Sequence, residues 1–242
     1  MTQPAGAPSA LGMARADGQT GGTLRGRRPK GQGPDLRQAI VDAAEALFSR
    51  HGFHGVTVRQ VAAEAGVDTA LIHYYFGAKR ELFDSVFARR AEILNTARLD
   101  ALAAYEASHA GPLDVEGIIE AFIGPLIDLS LTHDEGWKNY FRLVALVNNT
   151  PAWGGETMSR YFDPVVRRLI EALQAALPRA QERDLYWCYQ FLSGAMMLTL
   201  SETGRIDHLS GDLCLSTDLE AVRARLYAWC AAGLREVVGR RL

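Results

Sequence analysis

Two residues suited to capping a helix, Thr57 and Asp68, stand on either side of Gly66, and only about two turns of helix fit between them. Gln60, three residues after Thr57, completes a capping box, and Val58, Val61, Ala62 and Ala65 repeat on one side until the glycine ends the run. Asp68 then opens a second short helix over 69–76, with Ile72, Tyr75 and Phe76 predicted inward and Thr69, Ala70, His73 and Tyr74 outward. Upstream, Asp35 with Gln38 as its capping-box partner starts an amphipathic helix whose stripe is Leu36, Ile40, Ala43, Ala44, Leu47 and Phe48, stopped by Gly52. The chain therefore contains a three-helix unit whose last two members are short and joined by a glycine turn.

Everything downstream reads as helix. A long segment from Lys79 to about 106 carries Leu82, Phe83, Val86, Phe87, Ile93, Leu94 and Leu99. Further helices are predicted near 113–131, 136–149, 155–177, 180–204 and 218–239, with 205–216 as a loop. No run of alternating β-branched residues and no Asn-Gly hairpin signal interrupts them, so the fold class is all-α. With 242 residues, 48% of them hydrophobic, the chain can bury a sizeable core. No apolar run approaches the roughly 18 residues of a membrane span and no secretory h-region is present, which predicts a cytoplasmic protein without a membrane partner. Cys188, Cys214 and Cys230 are widely spaced and form no CxxC pair, so they are expected to be buried thiols, with neither a disulfide framework nor a metal site.

Charge is unevenly placed. The chain carries net −2, yet basic side chains outnumber acidic ones across 24–90. Residues 1–33 are mostly small or polar and are predicted to be a disordered arm. The arm ends in the basic run Arg25–Lys30, which includes Arg27 and Arg28. Such a run is a solubilising tail or a contact to phosphate or a minor groove, and the neighbouring helical unit favours the second. A major groove accepts a helix whose exposed residues near its N-terminus are small, as Thr69 and Ala70 are. Arg59 can reach a guanine edge, Thr57 and the amides at its helix start suit a phosphate, Tyr74 and Lys79 can hold backbone, and His73 can do either. No GxSxG, HExxH, P-loop, GxGxxG or CxxC pattern supports an enzyme, and the Arg205, Asp207 and His208 group reads as a solvated turn. The remaining rival is a helical adaptor that binds protein with the same unit. It would need neither the basic arm nor Arg59.

The run from Thr57-Val-Arg-Gln-Val-Ala-Ala-Glu-Ala-Gly66 to Tyr75-Phe-Gly-Ala-Lys79 and on to Phe83, together with Ala43–Phe48 and Gly52-Phe53, resembles the TetR family of bacterial one-component transcription regulators. The resemblance places Arg59, Thr69, Ala70, His73 and Tyr74 at base or nearby backbone contacts, and Thr57 and Lys79 at phosphates. Leu71 departs from a position that is often Thr in the family, so that hydrogen bond is absent and a thymine-methyl contact can take its place. The resemblance further implies a DNA-binding domain over 34–94 and a ligand-binding, dimerising domain over 95–242. The last two long helices would then pair with their copies in a homodimer. Phe191, Leu198, Val222, Leu226, Trp229 and Leu234 serve that surface or the core beneath it. Within the second domain Phe122, Leu126, Trp137, Phe141, Val144, Trp153, Phe162 and Tyr186 offer apolar walls, and His133, Asn148 and Asn149 offer polar groups. These either line a largely apolar pocket or fill a core. The patterns Arg89–Asn95 and Phe162–Arg167 are similar to a subgroup that senses fatty acids or other hydrophobic compounds. The implied partners are a double-stranded, palindromic operator and a small hydrophobic effector, with no cofactor. Repression is the expected outcome, and activation depends on operator position.

Overall fold

The computed structural model describes residues 35–132 and 134–239. The arm over 1–33, with Arg27 and Arg28, and His133 lie outside the described residues. Helix α1 (Leu36–His51) starts at Asp35, whose Oδ1 accepts from the Arg37 and Gln38 amides at 3.1 and 3.2 Å. Only half of the expected capping box forms here. The Gln38 side chain instead donates to the Asp42 carboxylate one turn on, at 3.0 Å, and an ionised acceptor makes the stronger bond. At α2 (Val58–Ala65) both halves form: the Thr57 side chain accepts from the Gln60 amide, and Gln60 Oε1 accepts from the Thr57 amide at 2.7 Å.

Gly66 leaves α2 with φ 65° and ψ 34°, a left-handed turn that brings the Val67 amide back to Ala62 O at 2.9 Å. Asp68 Oδ1 then accepts from the Ala70 amide at 2.7 Å and opens α3 (Thr69–Phe76). A Cβ added at Gly66 would meet nothing within 4 Å, so the only cost of a side chain there is conformational. Gly66→Ala is expected to lose about 1–2 kcal/mol of folding stability, seen as a lower urea midpoint at unchanged slope.

Helix α4 (Lys79–Ser108) buries Leu82, Phe83, Val86, Phe87, Ala91, Leu94, Arg98 and Leu102, a single stripe. Ile93 and Leu99, named in the apolar series of this helix, fall between those positions and are exposed, and Tyr75 on α3 is exposed against the inward placement expected for it. The rest comprises α5 (Val115–Leu131), α6 (Glu135–Asn148), α7 (Gly154–Ala176), α8 (Glu182–Leu200), α9 (Arg205–Ser210) and α10 (Leu219–Gly239). Among the described residues no strand occurs.

Helix α9 occupies the segment expected to be a loop. It is flanked by left-handed Gly204 and Gly211 and buries none of its side chains, so no apolar period existed to reveal it. Asp207 within it accepts from the Ser216 amide at 2.7 Å and from Ser216 Oγ at 3.1 Å, bonds that hold its carboxyl below the usual range and tie the segment to the approach of α10. Cys188 and Cys230 are buried, but Cys214 is exposed, contrary to expectation, because it sits in this same surface segment.

Packing runs without a gap from the small unit into the body. Helix α1 lies against α2, α4 and α6, α4 against α5 and α7, and α8 against α6, α7 and α10. One hydrophobic cluster extends from Ile40 to Leu234, and α4 passes the expected division at 94/95 as continuous helix. No described helix is long and apolar enough to cross a membrane.

Candidate nucleic-acid interface and buried core cavity

Two buried residues, Ile72 and Phe76, anchor α3, and Leu71 packs half-buried against the same core. The opposite side carries Ala70, His73 and Tyr74, all exposed, with Tyr74 at 81%. Thr69 is half-buried at the helix start. His73 Nδ1 lies 2.8 Å from Gly77 O. A carbonyl only accepts, so Nδ1 carries the proton and Nε2 faces outward as the free ring nitrogen.

Helix α2 supports this face. Arg59 is exposed and has no hydrogen bond or ion pair among the described residues, which leaves its planar set of donors unspent. The Thr57 hydroxyl is committed to Gln60 Oε1 at 2.9 Å. A phosphate at that end would therefore meet backbone amides before it met the hydroxyl. Helix α4 begins without a side-chain cap, and its first residue, Lys79, sets its ammonium 4.3 Å from the Phe53 ring centroid. Partial burial there pulls the Lys79 ammonium below its ordinary value. Thr57 caps α2, and Arg59, Thr69, Ala70, His73, Tyr74 and Lys79 belong to α2, α3 or the start of α4, elements of which α2 packs on α3 and α3 on α4.

That edge is joined to the body by two clusters. Glu45 of α1 is buried and ion-paired to Arg90 Nε and Arg89 Nη2 of α4, both at 2.8 Å. Arg90 also reaches Asp134, the N-cap of α6, at 3.0 Å, and Arg89 reaches Asp42 at 2.6 Å. Burial pushes the Glu45 carboxyl up while hydrogen-bonded Arg90 and Arg89 pull it down, and burial is the larger effect. The second cluster is aromatic: Phe53 packs edge-on against Phe83 and Trp153, at 5.2 and 5.6 Å between centroids. Arg80 adds a bond from α4 to Thr157 on α7 at 3.1 Å.

In the body, a cavity of about 20 Å³ lies between α4, α5, α6, α7 and α8. Of the expected pocket residues, Leu126, Phe141, Val144 and Phe162 line it. Phe122 lies beside it, its ring beneath the Arg98 guanidinium at 4.1 Å. The other four lie elsewhere. Trp137 sits under Arg90 at 4.8 Å, and Trp153 belongs to the aromatic joint. Asn148 is exposed at the end of α6, and Tyr186 borders a surface groove with Arg167 and Glu171. Leu94 of the α4 series also lines it, and Met158, Tyr189, Ser193, Met196, Met197 and Arg98, none of them expected there, complete the surroundings. For Arg98 a signal existed: it takes the middle place in the run Leu94, Arg98, Leu102, a charge inside an apolar stripe.

The face formed by α8 and α10 is of a different kind. Trp187, Phe191 and Leu198 on α8 and Trp229 on α10 are more than half exposed. Phe191, Leu198 and Trp229 border an open apolar groove of about 660 Å³, in which Gly194 and Gly233 present bare backbone. Cys188 and Cys230 border it too, and burial pushes the Cys230 thiol up to about 11, which keeps it protonated and unreactive. Of the other expected interface residues, Leu226 and Leu234 are core and Val222 is half-buried.

A short helix-turn-helix unit with an exposed third helix, fused to a larger helical body with an apolar outer face, defines the class of helix-turn-helix DNA-binding proteins. Residues 40–86 match the family described as bacterial regulatory proteins, tetR family, and residues 120–233 match a tetracyclin repressor-like C-terminal domain. The chain belongs to the TetR family. Among its relatives, the HTH-type transcriptional regulator BetI of Agrobacterium fabrum is 42% identical over 74 residues, which are 31% of this chain and 34% of that protein. The HTH-type transcriptional repressor BepR of Brucella suis is 31% identical over 150 residues, 60% of this chain and 62% of that one. The chain thus spans between about a third and three-fifths of these curated relatives. In fold, it resembles the fatty acid degradation regulator FadR from Bacillus halodurans, with TM-score 0.58 and 20% identity over 85% of this chain and 99% of that one. A TetR-like transcriptional regulator from Rhodococcus is similar at TM-score 0.59 and 20% identity, covering 88% and 100%.

Proposed function

We propose that this protein is a cytoplasmic, homodimeric, ligand-responsive transcriptional repressor that reads a palindromic operator with α3 and Arg59. The observation that carries the reading is the face of α2 and α3. Small or hydrogen-bonding side chains stand outward there, and Arg59 has no partner of its own among the described residues. Residues 34–94 form the DNA-reading part and 95–242 the sensing and dimerising part. Relatives named as HTH-type regulators and repressors support this. Each half of the dimer presents one recognition helix, and the two sit about 34 Å apart on successive major-groove faces. The α8 and α10 face, apolar and unpartnered in a single chain, is where the two copies meet.

Ligand sensing works through α4, which begins at the DNA-reading edge and runs past the cavity. A ligand that favours a tilted α4 changes the separation of the recognition helices, and a coupling of about 1–3 kcal/mol weakens operator binding about 5- to 150-fold. At about 20 Å³ the cavity holds roughly one water, so a ligand must displace side chains to enter. Selection of binding sites from genomic DNA with purified protein tests the core of the proposal. A short palindrome is expected, on which Arg59→Ala loses about 1–3 kcal/mol while salt-dependent nonspecific binding persists. Absence of any enriched sequence, with no effect of the substitution, would instead support the protein adaptor.

A further inference from the structure

Arg98 stands in the middle of α4 at 4% exposure, and among the described residues no carboxylate pairs with it. Its Nε donates to the Phe122 carbonyl at 3.1 Å, and Nη2 approaches Met196 Sδ at 3.7 Å, a weak acceptor. The Nη1 group has no bond among the described residues, and the cavity beside it contains no acidic side chain. A buried charge without a counter-ion costs several kcal/mol, and proteins retain one where something repays it. Burial pulls the Arg98 guanidinium down to about 10, which still leaves it charged at neutral pH. Two further groups are arranged around it. The Tyr140 hydroxyl is wholly buried without a hydrogen-bond partner among the described residues, and Tyr189 lines the cavity with Ser193. Tyr189 shares the cavity lining with Arg98, and Tyr140 is the neighbour of the lining residue Phe141 on α6.

We propose that the cavity between α4 and α8 is a binding site for a ligand with an apolar body and a carboxylate head, the head pairing with Arg98. The proposal deepens the sensing role assigned above and rests on it for its consequence, though not for binding itself. A carboxylate accepts two parallel N–H bonds from a guanidinium and has lone pairs left for the hydroxyl of Tyr189 in the same lining, so it supplies the counter-ion that Arg98 lacks. The apolar body is accommodated by Met158, Met196 and Met197, whose unbranched side chains swing aside at low cost. The expanded cavity is then a minor conformation that the ligand makes dominant. Pairing draws Arg98 away from the Phe122 carbonyl of α5, and so changes how α4 seats on α5.

The test uses the purified full-length chain without DNA, with decanoate and 2-naphthoate as probes, each set against its neutral amide, in calorimetric titrations. At least one carboxylate is expected to bind about tenfold or more tightly than its amide. Arg98→Met removes that preference, and Arg98→Lys keeps part of it. If neither carboxylate outbinds its amide, or if Arg98→Met leaves the preference intact, the proposal is overturned. Thermal melting of Arg98→Met guards the reading. Loss of an unpaired buried charge leaves the melting temperature unchanged or raises it, whereas a large drop assigns Arg98 to holding Phe122 and counts against a ligand role. Operator release is measured separately by fluorescence anisotropy. Carboxylate binding without release leaves the site standing and removes the effector role, while operator binding without any carboxylate preference removes the site and leaves the DNA-reading role standing.

Discussion

Replacing Phe191 and Trp229 together with glutamate is expected to convert the proposed dimer to a monomer and to weaken operator binding about 100- to 10,000-fold. Both side chains are more than half exposed on the α8 and α10 face, and both border the groove where Gly194 and Gly233 let a partner helix approach. Neither contributes to the interior, so the monomer keeps its fold, and its far-ultraviolet dichroism will match the parent. The loss on DNA follows from linkage. Two recognition units held in one dimer bind as an intramolecular pair, a gain of about 10² to 10⁴ over either alone, and separate monomers forfeit it. Sedimentation and operator titration on the same samples decide the matter. A double variant that stays dimeric places the interface elsewhere, and a monomer with undiminished affinity removes the requirement for pairing. Buried Leu234 makes a poor substitute for such a test, because changing it would disturb the core as well as any interface.

What could be read from the residues alone divides along a physical line. The reading unit was legible because its signals are local: Thr57, Gln60, Gly66 and Asp68 specify a cap, a stop and a second cap within a dozen residues, and the bonds they make are those their chemistry demands. The apolar stripe of α4 was legible for the same reason, except at Ile93 and Leu99, where apolar character alone did not say which side of the helix they occupy. The cavity depends instead on which faces of five helices meet, and periodicity is silent on that. Leu126, Phe141, Val144 and Phe162 were found because an inward apolar residue is core or cavity wall in either case. Trp137 and Trp153 are expected as apolar walls of a pocket, yet each is held by a cation, Arg90 and Arg80 respectively, at the joint between the two parts of the chain. Asn148 shares the spacing of the α6 face but is the last residue of that helix and is exposed, so it does not reach the cavity lining.

The same joint supplies the second large effect. Glu45→Ala is expected to cost about 3 kcal/mol of folding stability. The carboxylate is buried between Arg89 and Arg90, and its removal strands two guanidiniums whose other partners, Asp42 and Asp134, are more than half exposed. The size of the effect does not mean that the network stabilises the fold by that amount. Burial pushes the Glu45 carboxyl up by more than Arg90 and Arg89 pull it down, so desolvation already consumes much of what pairing returns. An all-apolar replacement, Glu45→Leu with Arg89→Met and Arg90→Met, is therefore expected to be near neutral in urea unfolding, in contrast to the single change. A network that contributes little net stability but ties α1 to α4 and α4 to the start of α6 is suited to fixing geometry. Its charged bonds hold one relative setting of the reading unit and the body, where apolar contacts would tolerate several. The triple variant will then fold and bind operator, but its binding will respond less to any ligand that moves α4. If instead Glu45→Ala leaves the urea midpoint where it was, the three charges are solvated in solution and the joint is held by Phe53, Phe83 and Trp153 alone.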